Sequence, residues 1–249
     1  MNISLSSLFK KKTDPSTAAA GATKKMQSLE SIRDHVELRC HPKTDQDRIT
    51  EIDRELIGGF ELLKKHKDSV TIYGSARLSE SDPHYEKARS LGKRIVSELG
   101  WAVITGGGPG IMEAGNRGAK EAGGNSLGLP IDLPNEQVRN QYLTESANFY
   151  YFFIRKLMLS FSSRAYVFFP GGFGTLDEFF ETVTLVQTGK IKDVPVILMG
   201  TDFWAPLLGF ITAKLADSYK TIDPQDTSIY HLVDTEDQAL ELIRKAPAR

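Results

Sequence analysis

After Ser69 the chain alternates short apolar runs with longer amphipathic stretches. The runs VTIYG (Val70–Gly74), WAVIT (Trp101–Thr105), NSLGLP (Asn125–Pro130), AYVFFP (Ala165–Pro170), VPVILMG (Val194–Gly200) and HLVD (His231–Asp234) predict strands. Between them, the spacing predicts helices over Tyr85–Leu99, Ile111–Ala122, Phe149–Ser162, Thr175–Gln187, Phe203–Leu215 and Thr235–Lys245. Strands that are apolar on both faces and alternate with helices imply right-handed βαβ crossovers, hence a parallel sheet covered on both sides. The expected fold is a Rossmann-like α/β sheet with helices on both faces, and the loops after Thr105 and Pro170 are where a ligand is sought.

Upstream the pattern changes. Residues 1 to 25 are rich in Ser, Thr, Ala and Lys without a hydrophobic period and read as a mobile tail. Residues 26 to 67 read as a helical extension, with Pro42 separating an earlier short helix from one carrying Ile49, Ile52, Leu56, Phe60 and Leu63 in a single stripe. Such a stripe covers the sheet or packs on a second subunit. The Rossmann-like domain is then expected over 68 to 249.

Composition narrows the function classes. With 249 residues, 40% hydrophobic and 25% charged, the chain has the make-up of one large soluble globular domain with appendages. Its 31 Lys and Arg against 32 Asp and Glu leave a net charge of −1, so no global basic field holds a nucleic acid backbone. One cysteine, Cys40, excludes an intramolecular disulfide and a multi-cysteine zinc site, and suits a reducing cytoplasm. The apolar stretch Phe149–Phe161 is shorter than a membrane span and carries Arg155 and Lys156; it is expected to be a buried helix. The opening MNISLSSLFKKK has its charges after the apolar residues, the reverse of a secretory signal.

Three glycine-rich turns follow strands. In YGSAR (Tyr73–Arg77), Gly74 allows a tight turn while Ser75 and Arg77 can meet an anion. In TGGGPGIMEA (Thr105–Ala114) the glycines let a ligand approach backbone N–H groups at a helix N-terminus, which suits a phosphate. PGGFGTLDE (Pro170–Glu178) repeats the strand, turn and helix order, with Thr175 placed to cap the helix or donate its hydroxyl to the same anion. For each turn alone, glycine as a mere sharp connection explains the pattern; two such turns in one sheet are more specific. A dinucleotide fingerprint fits poorly, because the third glycine would fall on Ile111 and the turn follows the second strand, although Asp132 can imitate the ribose-binding acid.

The stretch FYYFFIRKLMLSFS is apolar on nearly every face, so at least one of Arg155 and Lys156 must lie against protein and needs an anionic partner. Glu178, beside the third turn, is the natural partner, with Glu181 and Thr182 on nearby faces. A purely structural ion pair is the competing reading. Tyr150, Tyr151, Phe152 and Phe173 can stack on a purine or simply fill the core.

TGGGPGIMEA, Arg155-Lys156 and PGGFGTLDE together resemble the LOG family of cytokinin riboside 5′-monophosphate phosphoribohydrolases, often mislabelled as possible lysine decarboxylases. The resemblance covers roughly Val70 to Leu215, and the chain adds about 68 residues before the first strand, as in the longer bacterial members. It implies that Arg155 and Glu178 are catalytic and that Gly106, Gly107, Gly108, Gly172, Gly174 and Thr175 bind the nucleotide phosphate. Ser75, Lys156, Gly171 and Phe173 complete the expected nucleotide-binding set, with Arg77, Glu113 and Thr184 as further candidate substrate contacts. The implied reaction is hydrolysis of the N-glycosidic bond of a nucleoside 5′-monophosphate to free base and ribose 5-phosphate, with no metal or organic cofactor. A homodimer or higher homo-oligomer is implied as well.

The residues suit that chemistry. A carboxylate at Glu178 can stabilise an oxocarbenium-like sugar or orient water, while two helix N-termini hold the phosphate and Arg155 keeps Glu178 ionised. Two alternatives stand beside it: an AMP-type nucleosidase with broad base choice, and a non-catalytic nucleotide sensor signalling through the N-terminal helix. A pyridoxal-dependent decarboxylase fits less well, since Lys156 sits next to an arginine on a helix with no evident cofactor pocket.

Overall fold

The computed structural model describes residues 44–132, 139–191 and 194–248. The expected tail over 1 to 25, Cys40 and the break at Pro42 lie outside these residues. The chain divides into two units, Met1–Arg48 and Ile49–Arg249. Of the first only 44–48 are described, and they open helix α1 (Asp45–Lys65).

From Ile49 on, seven strands form one parallel sheet: β1 (Ser69–Tyr73), β2 (Ala102–Thr105), β3 (Ser126–Gly128), β4 (Glu145–Ser146), β5 (Ala165–Phe168), β6 (Val196–Met199) and β7 (Tyr230–Val233). Their spatial order is β4-β3-β2-β1-β5-β6-β7, and every pairing is parallel. The connecting helices are α2 (Pro83–Arg94), α3 (Ile111–Glu121), α4 (Phe152–Ser160), α5 (Phe173–Gln187), α6 (Thr201–Phe210) and α7 (Glu236–Arg244). Five-residue and eight-residue π-type turns prolong α2 and α6. All six expected strands are present within a few residues of their sequence bounds. The edge strand β4 has no apolar run behind it; it exists because the backbone of Glu145 and Ser146 reaches Leu127 and Gly128.

The sheet sorts its side chains by parity. Val70, Ile72, Val103, Ala165, Val167, Ile197 and Met199 pack with α2, α3 and α7, whereas Tyr73, Ile104, Tyr166, Phe168, Val196 and Leu198 pack with α1, α4, α5 and α6. Period-2 alternation with both faces apolar is what a doubly covered sheet requires. The helices after β1 and β2 therefore lie on one face and those after β5 and β6 on the other. The chain runs outward from β1 in both directions, and crossovers of one hand then demand opposite faces. The crevice opens between the carboxyl ends of β1 and β5.

Two helices differ from the sequence pattern. In α1 the stripe is only partly used: Leu63 is buried and Ile52 and Leu56 pack against the core, but Ile49 and Phe60 stay exposed. Gly59 and Glu55 occupy the seam instead, and a Cβ on Gly59 would sit 2.6 Å from Met158 Sδ, so glycine permits the close crossing with α4. The stretch expected as a buried helix over Phe149–Ser162 shortens to Phe152–Ser160, with Phe152, Phe153 and Phe161 exposed. Its start is set by Glu55, whose carboxylate accepts the N–H groups of Tyr150 at 2.6 Å and Tyr151 at 3.3 Å. A carboxylate accepting both N–H groups, with its negative charge at the positive helix end, ends the extended segment there. Among the described residues no helix is long and apolar enough to cross a membrane.

Candidate active site

A cavity of about 650 Å³ lies at the carboxyl ends of β1 and β5, with walls from the turns after β1, β2 and β5 and from α4. The three glycine-rich turns are bonded to one another there. The Ser75 N–H donates to the Pro170 carbonyl at 3.0 Å, and the Ser75 carbonyl accepts the Ile111 N–H at 3.0 Å. Gly74 is needed for this approach, since a Cβ would lie 2.5 Å from Ile111. Gly110, at φ +70°, is the N-cap of α3 and likewise meets the Ser75 backbone. The YGSAR turn, the least specific of the three in sequence, thus joins the other two.

The second turn is held from behind. The Gly107 N–H donates to Thr105 Oγ1 at 2.9 Å, and Thr105 Oγ1 donates to Asn116 Oδ1 at 2.6 Å. Asn140 donates its backbone N–H to the Gly107 carbonyl and its Nδ2 to the Gly108 carbonyl, both at 3.0 Å. Thr105, Asn116 and Asn140 are buried, so each of these bonds is shielded from water. Gly107 and Gly108 consequently face this network and β3, and only Gly106 of the three expected glycines lines the cavity. With the Ile111 N–H occupied by Ser75, one donor of the first turn of α3 is already engaged.

The third turn is open. Gly172 is the N-cap of α5 with extended backbone and no side-chain cap, and Gly172 to Glu178 run along the cavity wall. The first N–H groups of α5 have no partner within the helix, which leaves donors and a positive dipole end at the cavity. Thr175 is buried against Gly171, where a Cβ would overlap its side chain. Gly171 therefore serves packing and does not line the cavity.

Arg155 and Glu178 both line the cavity, yet they form no ion pair within 4.0 Å. The Arg155 Nε donates to the Leu129 carbonyl at 2.9 Å, and a Cβ on Gly106 would be 2.5 Å from its Nη2. The direct pair expected from the sequence is replaced by a guanidinium anchored on backbone and acting through space. Glu178 is 8% exposed, and its Oε2 has no hydrogen-bond partner. Burial pushes its pKa up to about 7, against the opposing pull of the Arg155 charge. Burial also lowers the Arg155 pKa, with Glu178 opposing.

Lys156, the next residue on α4, points elsewhere. It binds Asp177 at 2.8 Å and Glu181 at 3.0 Å and is not part of the cavity wall. Glu113 accepts the Tyr85 hydroxyl at 3.0 Å, and Thr184 donates to the Phe180 carbonyl at 2.7 Å on an exposed face. Neither lines the cavity. Ser75, Arg77, Gly172, Phe173, Gly174 and Thr175 do, with Phe173 92% exposed at the rim. Arg77 is exposed and forms no ion pair among the described residues. Tyr73 and Met112 line the cavity as well, and sequence reasoning did not place them there. For Tyr73 the only signal is an aromatic residue at the last position of β1, directly before the glycine.

A family model described as possible lysine decarboxylase matches residues 112–243, which carry Arg155, Glu178 and the whole third turn. The chain belongs to this family. A curated cytokinin riboside 5′-monophosphate phosphoribohydrolase of Arabidopsis thaliana is 27% identical over 191 residues, covering 76% of this chain and 81% of that protein. Among solved structures, a structural-genomics target is 27% identical with a TM-score of 0.55, over 72% of this chain and 99% of that one. The Moco carrier protein of Chlamydomonas reinhardtii is 26% identical with a TM-score of 0.53, over 72% and 97%. The decarboxylase wording of the family description finds little in the cavity: Lys156, the lysine beside Arg155, is tied to two carboxylates outside the cavity wall.

Proposed function

We propose that the protein hydrolyses the N-glycosidic bond of a purine or N6-modified adenine nucleoside 5′-monophosphate, giving free base and ribose 5-phosphate. The observation that carries this reading is the Glu178 carboxyl, buried with Oε2 unpartnered and a pKa of about 7, on the same wall as the uncapped start of α5. The first-turn N–H groups of α5 take the 5′-phosphate, with Arg77 at the rim as a counter-charge. Anchoring the phosphate brings C1′ of the ribose toward Glu178 and fixes it there.

The ionised carboxylate stabilises the positive charge that develops on the sugar and takes one proton from the attacking water. The water oxygen bonds to C1′ as the C1′–N bond breaks, the bond pair leaves with the base, and the base takes up a proton. Arg155, held over Gly106, favours the ionised form of Glu178. The name of the Arabidopsis relative describes this same reaction class. Phe152 and Phe173 on the cavity wall are the candidates to stack on the base, adenine or an N6-prenylated adenine.

The test is to incubate the protein with AMP and with N6-isopentenyl-AMP, and to follow base and ribose 5-phosphate by chromatography. Release from neither sinks the reading. A second reading, binding without turnover, is favoured by the likeness to the Moco carrier protein, and the same assay separates the two. We further propose a homodimer or higher homo-oligomer, because Phe152, Phe153, Phe161 and Phe180 leave apolar surface exposed on one side of the sheet.

A further inference from the structure

Two buried side-chain polar atoms without a hydrogen-bond partner, Tyr73 Oη and Glu178 Oε2, belong to walls of the same cavity. Buried polar groups in folded proteins nearly always have partners, so two orphans on the walls of one cavity point to a bond made only in another state. Tyr73 ends β1, directly opposite Phe168 in the β1–β5 register, and its ring stacks on Phe168 with centroids 4.6 Å apart and planes within 8°. The ring cannot swing away, and only 6% of the residue is exposed. After burial itself, Glu178 is the strongest electrostatic influence on this phenol.

We propose that Tyr73 is a positioning residue for Glu178: its hydroxyl donates a hydrogen bond to Glu178 Oε2 in the reacting enzyme, leaving the other carboxylate oxygen for the sugar and water. This rests on reading the cavity as a nucleoside 5′-monophosphate hydrolase site. The protonation states match the roles. Burial and the neighbouring carboxylate hold the phenol well above its usual range, so Tyr73 keeps its proton while Glu178 ionises near neutrality. An ionised carboxylate is an acceptor only and needs donors; the Tyr73 phenol, on a wall of the same cavity, is a buried donor with no other partner. The charged groups that act on Glu178 are Arg155 and Lys156 from α4 and Asp177 and Glu181 from α5; those that act on Tyr73 are Glu178, Glu181 and Arg155, together with the Tyr166 phenol.

Tyr73→Phe keeps the ring and its stack on Phe168 and deletes only the hydroxyl. The expected result is a melting temperature equal to wild type or higher, since an unsatisfied buried hydroxyl disappears. The kcat on AMP should fall roughly 10- to 100-fold with KM nearly unchanged, the loss of one hydrogen bond to a charged group. The acid limb of the pH–rate profile should move to higher pH, because a hydrogen bond to the ionised form had favoured it. In the Glu178→Gln background the same substitution should add nothing, since the two act as a unit. Wild-type kcat and an unmoved acid limb overturn the proposal, and so does activity that falls only with the folded fraction. If the wild-type protein releases no base, the hydrolase reading itself fails. Carbon-13 NMR titration of Glu178 with AMP bound, in wild type and Tyr73→Phe, then still decides the pairing, and an unmoved midpoint overturns it.

Discussion

Arg155 and Glu178 share a cavity without forming a salt bridge: the guanidinium is bonded to the Leu129 carbonyl at 2.9 Å, and Glu178 Oε2 is left with no partner. A direct pair would hold the carboxyl ionised at all ordinary pH. Held apart, the arginine offsets part of the burial cost and leaves the group poised near pH 7.

That poise predicts opposite pH trends for activity and stability. The kcat/KM should rise with pH through an acid limb near 7 as Glu178 ionises. The folded pKa is raised above the ordinary 4.5, so the stability contribution of this group is complete below about 4.5 and is lost as pH rises through about 7. Glu178→Gln should remove that slope and raise the unfolding free energy at pH 8 by an amount on the order of 3 kcal/mol, with a higher melting temperature there. Thermal melts at pH 5 and pH 8 check it; a variant less stable than wild type at pH 8 contradicts the assignment.

Glu178→Gln should also abolish turnover, by about 10²-fold or more, or about 2.7 kcal/mol of transition-state stabilisation, while nucleotide binding stays nearly intact. Folded variant that releases base at the wild-type rate would show the carboxyl to be structural.

Arg155→Ala removes both the charge that favours ionised Glu178 and the donor to the Leu129 carbonyl. Activity should fall, the acid limb should move above 7, and stability should drop by about 1–3 kcal/mol for the orphaned acceptor. Gly106→Ala tests the same contact more gently. Its Cβ would press on Arg155 Nη2 at 2.5 Å and Met112 Sδ at 2.8 Å, both ends of flexible side chains, so the fold should hold while kcat falls.

The phosphate anchor predicts that adenosine is a far poorer substrate than AMP, and equal kcat/KM for the two would contradict it. Arg77→Ala should raise KM for AMP by roughly 10-fold with a smaller effect on kcat, as expected for a binding contact at the rim.

Light scattering at micromolar concentration should give at least twice the 27.6 kDa of one chain. A monomer mass would leave the exposed Phe152, Phe153 and Phe161 without the partner proposed for them.

Much of the fold was legible in the sequence because it rests on local signals. Apolar runs bounded by glycine and proline marked six of seven strands, and PGGFGTLDE marked the turn whose residues line the cavity. Other features were illegible for reasons that can be named. β4 has two residues and no pattern of its own. The start of α4 depends on Glu55, 95 positions away from Tyr150 and carrying a charge that by itself does not mark a buried position. Lys156 and Arg155 are neighbours of like charge on one helix, and nothing in their order says which enters the cavity.

The sequence by itself therefore determined the element order, the parallel sheet and the chemical inventory of the site, since hydrophobic period and turn residues act within a few positions of chain. Only the tertiary structure decided which of those groups meet. It turned Gly107 and Gly108 toward Asn140 and gave Lys156 to Asp177 and Glu181. It also anchored Arg155 on Leu129 and set Tyr73 beside Glu178. These outcomes depend on burial and on competition among partners distant in sequence: a charge or hydroxyl takes the best partner that packing brings within reach, and its solvation there sets its pKa.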